Sequence, residues 1–217
     1  ITSTNGFVPD SFDVVQAINL CVSTLQNPNS SLTNQATYLR YLLHFVGDIH
    51  QPLHASDAID TNYPNGDLGG NKFSLTNSYG NLHSMWDGGG GFLADSLSRP
   101  LSAGGQTTLS NKVATIEALY PYSPHSGITP DPMDWALDGW ILDQTVSYRG
   151  VTRGTPPSIT YPNTVQAKPK QRLVVAGDRL ADSLNTIYPG NPLRLSPIPN
   201  STGQFTFSAT RNPAHTS

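Results

Sequence analysis

Apolar side chains recur at the spacing of an amphipathic helix in several stretches of the chain. The first predicted helix covers residues 10–26, and Asp10 or Ser11 could cap its start. Its apolar positions are Phe12, Val15, Ile18, Leu20, Val22 and Leu25. The sequence NPNSS follows and ends the pattern, because Pro and Asn favour turns.

A second predicted helix covers residues 33–51, with Thr33 or Asn34 as its N-cap. Its apolar positions, which we assign to the core, are Tyr38, Leu39, Leu42, Leu43 and Val46. Pro52 removes a backbone donor and disfavours helical geometry at Gln51. We therefore expect this helix to end or bend at that point.

The second half of the chain predicts three more helices, at residues 106–120, 132–148 and 168–188. Trp135 and Trp140, both in the middle one, are assigned to the core.

Two stretches predict irregular structure. Residues 56–80 are rich in Gly, Asn and Pro, so we expect a long loop there, with a short β-hairpin around the KFSLT segment. Residues 190–217 contain too much Pro, Ser and Thr for regular structure and predict an irregular tail. The expected fold of residues 1–217 is a single all-α, mainly helical domain with long loops and no internal repeat.

Composition narrows the class of protein. The chain has 217 residues, a net charge of −3 and only 12% charged residues, with 19 Gly and 18 Pro. This length allows one large domain with a real core, and 36% hydrophobic residues are enough to fill it. Low charge with many small polar residues predicts an extracellular protein with long ordered loops.

Further features bear on location and partners. No apolar run approaches the length of a membrane span, and a chain that begins at Ile1 without a signal peptide is expected to be processed and secreted. Asn29 and Asn200 stand in N-x-S/T triplets, which predict N-glycosylation or arise by chance in an Asn- and Ser-rich chain. The lone cysteine, Cys21, is either buried and unreactive or paired with another chain.

The main chemical signal lies in residues 44–87, which contain four of the six histidines. His44 and Asp48 are four residues apart, and so are His83 and Asp87. Such a pair lies on one helix face, where an imidazole and a carboxylate can hold the same cation. One pair alone is more often a surface hydrogen bond, but two pairs and His54 in one short stretch favour a metal site.

The number of candidate ligands is uneven. His54, His83 and Asp87 make three, which suits a catalytic zinc with open positions for water or substrate. His44 and Asp48 make only two, so this half-site is expected to need residues from elsewhere. The bend at Pro52 would turn His54 toward a second ion. His50 is expected to form hydrogen bonds behind the ligands or to lie on the surface. The ligand types would also accept Mn or Co.

Three blocks follow one another in order. Residues 44–54 read HFVGDIHQPLH, residues 69–71 read GGN, and residues 81–87 read NLHSMWD. Together they resemble the S1/P1 nucleases, a family of secreted three-zinc enzymes related to the bacterial zinc phospholipases C. Residues 176–185 are similar to the family's late helix, so the resemblance runs from about residue 10 to 190. Residues 135–138 resemble a family W-A-x-E block, with Asp138 in the place of Glu.

The resemblance implies a zinc-dependent phosphodiesterase that hydrolyses single-stranded DNA and RNA to 5′-nucleotides and has 3′-nucleotidase activity. It implies up to three zinc ions. Asp48, as the catalytic residue, would bridge two of them and orient the attacking hydroxide, and His44 would hold one of that pair. The third ion would be held by His54, His83 and Asp87. The resemblance also puts Asn71 near the substrate.

The chain departs from the family at its beginning. The family starts with a Trp that binds zinc through its amino group and carbonyl, followed by further His and Asp ligands before the block at His44. Residues 1–43 contain no histidine and begin with Ile1. We therefore expect an N-terminal segment or fragment of the same protein to supply the missing ligands. A zinc phospholipase C-like esterase and a non-catalytic zinc-stabilised binding protein remain open as alternatives.

Overall fold

The computed structural model describes residues 11–121 and 130–189. In these residues the protein is mainly helical and has no β-sheet, which confirms the predicted all-α class. The α-helices are α1 (Val14–Gln26), α2 (Leu32–Ile49), α3 (Leu82–Asp87), α4 (Ala103–Leu119), α5 (Pro132–Leu142) and α6 (Tyr161–Ile187). Short 3₁₀ turns cover Pro52–His54 and Gly89–Gly91, and a π-helical turn, Asp143–Ser147, continues α5. The predicted tail at 190–217 lies outside the described residues.

Capping side chains fix where α1 and α2 begin. Asp13 caps α1 by accepting a hydrogen bond from the backbone N–H of Gln16 at 3.0 Å. Ser31 caps α2 in the same way, accepting from the N–H of Asn34 at 3.2 Å. The prediction of Ser11 as the first cap is therefore wrong, as are Thr33 and Asn34 as the second, and Asp10 lies outside the described residues. In each helix the cap is the polar side chain whose oxygen reaches the N–H three residues on.

The hairpin predicted around the KFSLT segment is reduced to a single antiparallel bridge. Residues 73–82 form a turn in which Leu75 N–H donates to the carbonyl of Gly80 and Leu82 N–H donates to that of Phe73. The bridge joins Ser74 and Asn81, and no strand pairing longer than one bridge is formed in this part of the described structure. The pairing cannot extend, because α3 begins directly after Asn81.

The main core lies between α1, α2, α5 and the end of α6. It contains most of the predicted apolar positions, including Ile18, Leu42 and Trp135, which are at most 1% exposed. Cys21 is also buried there and free, and burial raises the pKa of its thiol.

Two predicted core residues, Leu43 and Trp140, are instead exposed, as are Phe12 and Leu20 of the first apolar pattern. Trp140 is 39% exposed although Trp135 is buried. Five residues of helix turn the chain by about 140° from one face to another, so the two tryptophans cannot both face the core.

A second core fixes α3 against α6. Trp86 is buried in it, and its indole N–H donates to the hydroxyl of Tyr161 at 2.8 Å. Helix α6 begins at Tyr161, seven residues before the predicted start, because Pro162 occupies a first-turn position where proline is tolerated. Helix α6 also continues through Pro169. None of the helices in the described ranges is both long and apolar enough to cross a membrane.

Candidate metal centre

Three elements carry the candidate ligands. His44 and Asp48 lie on the last turns of α2, and His54 ends the 3₁₀ turn that follows it. His83 and Asp87 span the short helix α3. Asn81 caps α3 by accepting from the N–H of Ser84 at 2.7 Å, and the glycine run from residue 88 ends it, both as predicted.

The structure brings His54, His83 and Asp87 together. One donor atom from each lies within 4.8 Å of the other two. Nε2 of His54 is 3.1 Å from Oδ1 of Asp87, and Nε2 of His83 is 3.4 Å from Oδ2 of the same carboxylate. The two imidazole rings are stacked, with centroids 4.9 Å apart and planes 11° from parallel. All three side chains therefore direct a donor atom toward one small region.

This donor set fits a zinc ion. Ligand atoms on a tetrahedral zinc are separated by about 3.3 Å, close to the two imidazole–carboxylate distances found here. Nδ1 of His83 is 2.7 Å from the carbonyl oxygen of Gly69. Because a carbonyl oxygen can only accept a hydrogen bond, Nδ1 carries the proton of the neutral ring. Nε2 of His83 then presents its lone pair beside Asp87. Histidines that bind a metal through one ring nitrogen usually donate a hydrogen bond from the other, as Nδ1 of His83 does here.

The carbonyl that orients His83 belongs to a glycine that no other residue could replace without strain. Gly69 has φ +56°, and a Cβ there would lie 2.0 Å from the carbonyl oxygen of Leu53. The loop therefore passes directly over the 3₁₀ turn that carries His54.

The second half-site contains fewer donors. Nε2 of His44 is 3.1 Å from Oδ2 of Asp48, and these side chains are 68% and 36% exposed. Nδ1 of His54 is 3.7 Å from Oδ1 of Asp48, so the His54 ring lies between the two carboxylates. The described residues thus form one three-donor centre with a two-donor group beside it, as the sequence predicted. The assignment of all five residues to metal binding remains a prediction.

Gln51 also belongs to this site, although its role was not predicted. Its side-chain nitrogen donates to Oδ1 of Asp87 at 2.9 Å. Its side-chain oxygen accepts from the backbone N–H of Leu53 at 2.7 Å, which fixes the orientation of the amide. The signals in the sequence were its place in the HFVGDIHQPLH block and its position before Pro52.

Electrostatics follow from these contacts. The hydrogen bond with Asp87 raises the pKa of His54, against the opposing effect of burial. Burial opposes ionisation of Asp87, but hydrogen bonds from His54 and Gln51 and the nearby His83 outweigh it and lower the pKa of Asp87. A lowered pKa keeps this carboxylate charged and available to a cation.

His50 was expected either to form hydrogen bonds behind the ligands or to lie on the surface. It is only 2% exposed, which excludes the surface position. Its ring lies 3.0 Å from a guanidinium nitrogen of Arg179 and 2.6 Å from the carbonyl oxygen of Val46. Burial, followed by the charge of Arg172, lowers the pKa of His50 to about 3, so its imidazole is neutral. Asp138, in the block that resembles W-A-x-E, accepts from Arg179 at 2.7 Å.

A cleft of about 780 Å³ opens beside the ligands. Asp48, His54 and His83 contribute to its lining, and apolar side chains, among them Phe45 and Met133, form other parts of its wall. The ring of Phe45 stacks on that of Tyr41, with centroids 5.7 Å apart and planes 14° from parallel. The candidate ligands are therefore open to a molecule that enters from solvent.

The S1/P1 Nuclease family model matches residues 3–189, which include all three motif blocks. The chain belongs to the S1/P1 nuclease family.

Relatives within this family include plant and fungal proteins. Endonuclease 3 of Arabidopsis thaliana is 32% identical over 182 residues, which cover 78% of this chain and 58% of the relative. Nuclease S1 of Aspergillus oryzae is 30% identical over 184 residues, covering 75% and 58% of the two chains. Nuclease P1 of Penicillium citrinum is 39% identical over 75 residues, or 34% and 25%. The chain thus spans less than two thirds of the length of these S1/P1 relatives.

The remaining site predictions concern three asparagines. Asn71 of the GGN block is exposed, and its side-chain nitrogen donates to the carbonyl of Leu68 at 2.9 Å, closing the loop beside Gly69. Its predicted contact with substrate stays a prediction. Asn29 is exposed in the turn between α1 and α2, and Asn200 lies outside the described residues. Glycosylation at either position stays a prediction.

Proposed function

We propose that this S1/P1 family member acts as a metal-dependent nuclease that hydrolyses phosphodiester bonds of single-stranded DNA and RNA. The observation that carries the proposal is the convergence of His54, His83 and Asp87 beside a cleft that the two histidines line. Relatives named as endonucleases and nucleases support the same reaction class. We further propose 5′-nucleotide products, 3′-nucleotidase activity and a secreted enzyme with a glycan at the exposed Asn29.

Zinc is the proposed metal, because two imidazoles and one carboxylate suit it. His54, His83 and Asp87 would hold one ion. His44 and Asp48 would hold part of a second centre, which needs further donors since two ligands do not hold zinc well. Up to three ions are proposed in all. When bound, they lower the pKa of water and neutralise charge on the phosphoryl oxygens.

Asp48 is the proposed catalytic residue of the chain. Its carboxylate lines the cleft, and its Oδ1 lies 3.7 Å from Nδ1 of His54. A carboxylate in this position can orient an attacking water and accept its proton. The ring of His54 lies between the carboxylates of Asp48 and Asp87, with one ring nitrogen facing each.

Aromatic side chains at the cleft support a single-stranded substrate. Bases of a single strand are free to stack, and each stacked base contributes about 1–3 kcal/mol to binding. Phe45 lies in the cleft wall and follows His44 in the sequence. Its ring stacks on the ring of Tyr41. Basic side chains are few, with 12 Lys and Arg in the chain, so the metal centre would supply most of the attraction for phosphate.

The test is release of acid-soluble nucleotides from single-stranded and double-stranded DNA by the purified protein. We expect cleavage of the single strand, its loss in EDTA and its return with Zn²⁺. Asp87→Asn should abolish activity, and Glu117→Gln, which changes an exposed carboxylate on α4, should leave it unchanged. If wild-type protein with measured bound zinc releases nothing from DNA or RNA, the proposal is wrong. Phospholipid hydrolysis in its place would indicate the esterase alternative.

A further inference from the structure

A cluster of polar and charged side chains lies where α5 and α6 meet the end of α2. Its members are the buried neutral His50, the nearly buried Arg172 and Arg179, and Asp138, whose side chain is 41% exposed. Arg179 is 4% exposed, and the side chain of Arg172 is 11% exposed. None of the four lines the cleft beside Asp48, so the proposed reaction does not use them directly.

Hydrogen bonds connect the cluster to the backbone of α2. Oδ2 of Asp138 accepts from Arg179 at 2.7 Å and from Arg172 at 3.5 Å. Arg179 also donates to Nε2 of His50 at 3.0 Å. Because a guanidinium can only donate, the proton of the neutral ring is on Nδ1, which donates to the carbonyl of Val46 at 2.6 Å. Arg172 donates through Nε to the carbonyl oxygen of His50 at 3.2 Å.

These bonds fix the corner that follows α2. The last carbonyls of a helix have no partner within the helix. Here the ring of His50 satisfies the carbonyl of Val46, and Arg172 satisfies that of His50. The corner directly follows Asp48 and leads through Gln51, which contacts Asp87, to His54. Its shape therefore sets how the ligands of α2 and of the 3₁₀ turn face each other.

Stability alone does not explain the cluster. Two nearly buried guanidinium groups share one partly exposed carboxylate, and removing the guanidinium groups from water is unfavourable before they pair. Apolar side chains of similar volume often stabilise such a packed interface as well or better. The distinctive property of the charged cluster is that it fixes directions, because each bond needs a defined geometry.

We propose that Asp138, Arg172 and Arg179 are positioning residues that set the corner after α2 and thereby the separation of Asp48 from His54. The inference rests on the proposed metal-dependent function, because it concerns the ligands of that metal. It assigns a role at the site to Asp138, which lies 34 and 41 positions before Arg172 and Arg179, and to these two arginines, which lie 122 and 129 positions after His50.

Arg172→Lys tests the proposal most directly. Lysine keeps the positive charge beside Asp138 but lacks the Nε that bonds the carbonyl of His50. The dissociation constant for Zn²⁺ should rise about ten- to a hundredfold, the range found when a partner of a metal ligand is lost. It is measured by chelator competition well below the unfolding temperature. Arg149→Lys is the matched control, because Arg149 also bonds a backbone carbonyl, that of Gln144, but away from the centre.

The thermal midpoint of each variant in EDTA separates positioning from stability. A lower midpoint with an unchanged dissociation constant in Arg172→Lys would overturn the proposal. If Arg172→Lys does not fold, Arg179→Lys receives the same measurements and the same criteria.

Cleavage of single-stranded DNA is followed in parallel. Wild-type protein that binds Zn²⁺ but cuts nothing overturns the nuclease function and leaves the affinity comparison intact, whereas wild-type protein that binds no Zn²⁺ overturns both.

Discussion

The side-chain nitrogen of Gln51 donates to Oδ1 of Asp87 across 2.9 Å and so joins the corner after α2 to helix α3. The opposite end of the same amide accepts from the N–H of Leu53. The amide therefore cannot rotate without losing both bonds, and it holds the Asp87 carboxylate in one orientation toward His54 and His83.

Gln51→Leu should weaken metal binding about ten- to a hundredfold. The substituted side chain has nearly the same size but can neither donate to Asp87 nor accept from Leu53, so the Asp87 carboxylate loses the bond that orients it. Zinc affinity from chelator competition is the measurement. Gln26→Leu, at the exposed last residue of α1, is the matched control for the same change of side chain away from the candidate ligands. Equal affinity in the two variants would refute the orienting role.

The hydrogen bond between His54 and Asp87 predicts that replacing Asp87 changes the pKa of His54. In the metal-free protein, the hydrogen bond with Asp87 raises the pKa of His54, so Asp87→Asn should lower it. Because the folded-state pKa lies above the ordinary value of 6.5, protonated His54 stabilises the fold at low pH. This contribution is lost as the pH rises through the folded-state pKa. Imidazole NMR titration measures the shift, and an unchanged curve for His54 in Asp87→Asn would contradict it.

Gly69 should tolerate no side chain. Gly69→Ala combines a left-handed backbone with a Cβ 2.0 Å from the carbonyl of Leu53, and should lower the free energy of unfolding by at least about 3 kcal/mol. Gly80→Ala is the matched control, since Gly80 has φ +75° with nothing within 4 Å of its Cβ. It should cost only about 1 kcal/mol. Denaturant titration compares the two, and similar losses would show that steric overlap is not the cause.

The raised pKa of Asp143 should make the difference in stability between wild type and Asp143→Asn depend on pH. Burial and then the charge of Asp67 raise its pKa to about 6 from 3.8, against hydrogen bonds that include one from Ser56. Its stabilising contribution is complete below the unfolded pKa of 3.8 and is lost as the pH rises through about 6.

Asp143→Asn cannot ionise, so it should gain stability relative to wild type as the pH rises from 4 to 8. The shift corresponds to a gain of about 3 kcal/mol at most. Thermal unfolding of both proteins across this range measures the gap. Glu117→Gln controls for the loss of an exposed carboxylate. A gap that does not change with pH would mean that Asp143 titrates alike in the folded and unfolded chains.

Local patterns in the sequence predicted much of this arrangement. The i,i+4 spacing put His44 with Asp48 and His83 with Asp87, and the structure places each pair in contact. Asn81 was recognised as a cap because capping depends on residues three positions apart. Such features need no knowledge of the rest of the fold.

Contacts between distant parts of the chain were not predictable in this way. Gln51 meets Asp87 across 36 positions, and Arg179 meets His50 across 129. The exposure of Trp140 depends on which face of α5 packs against α2, and an apolar side chain alone does not reveal that face. The hairpin is limited to one bridge for a local reason, since the cap of α3 follows the turn too closely for longer strands to form.

The order of these parts along the chain has a consequence for synthesis. The candidate ligands all lie between residues 44 and 87, so they leave the ribosome well before α5 and α6. The guanidinium groups that fix the corner behind them follow later in the chain. If the proposed metal centre and positioning residues are correct, a nascent chain has its histidine ligands early but holds the metal firmly only after Arg172 and Arg179 dock. Metal retention would then report that α6 has reached its place.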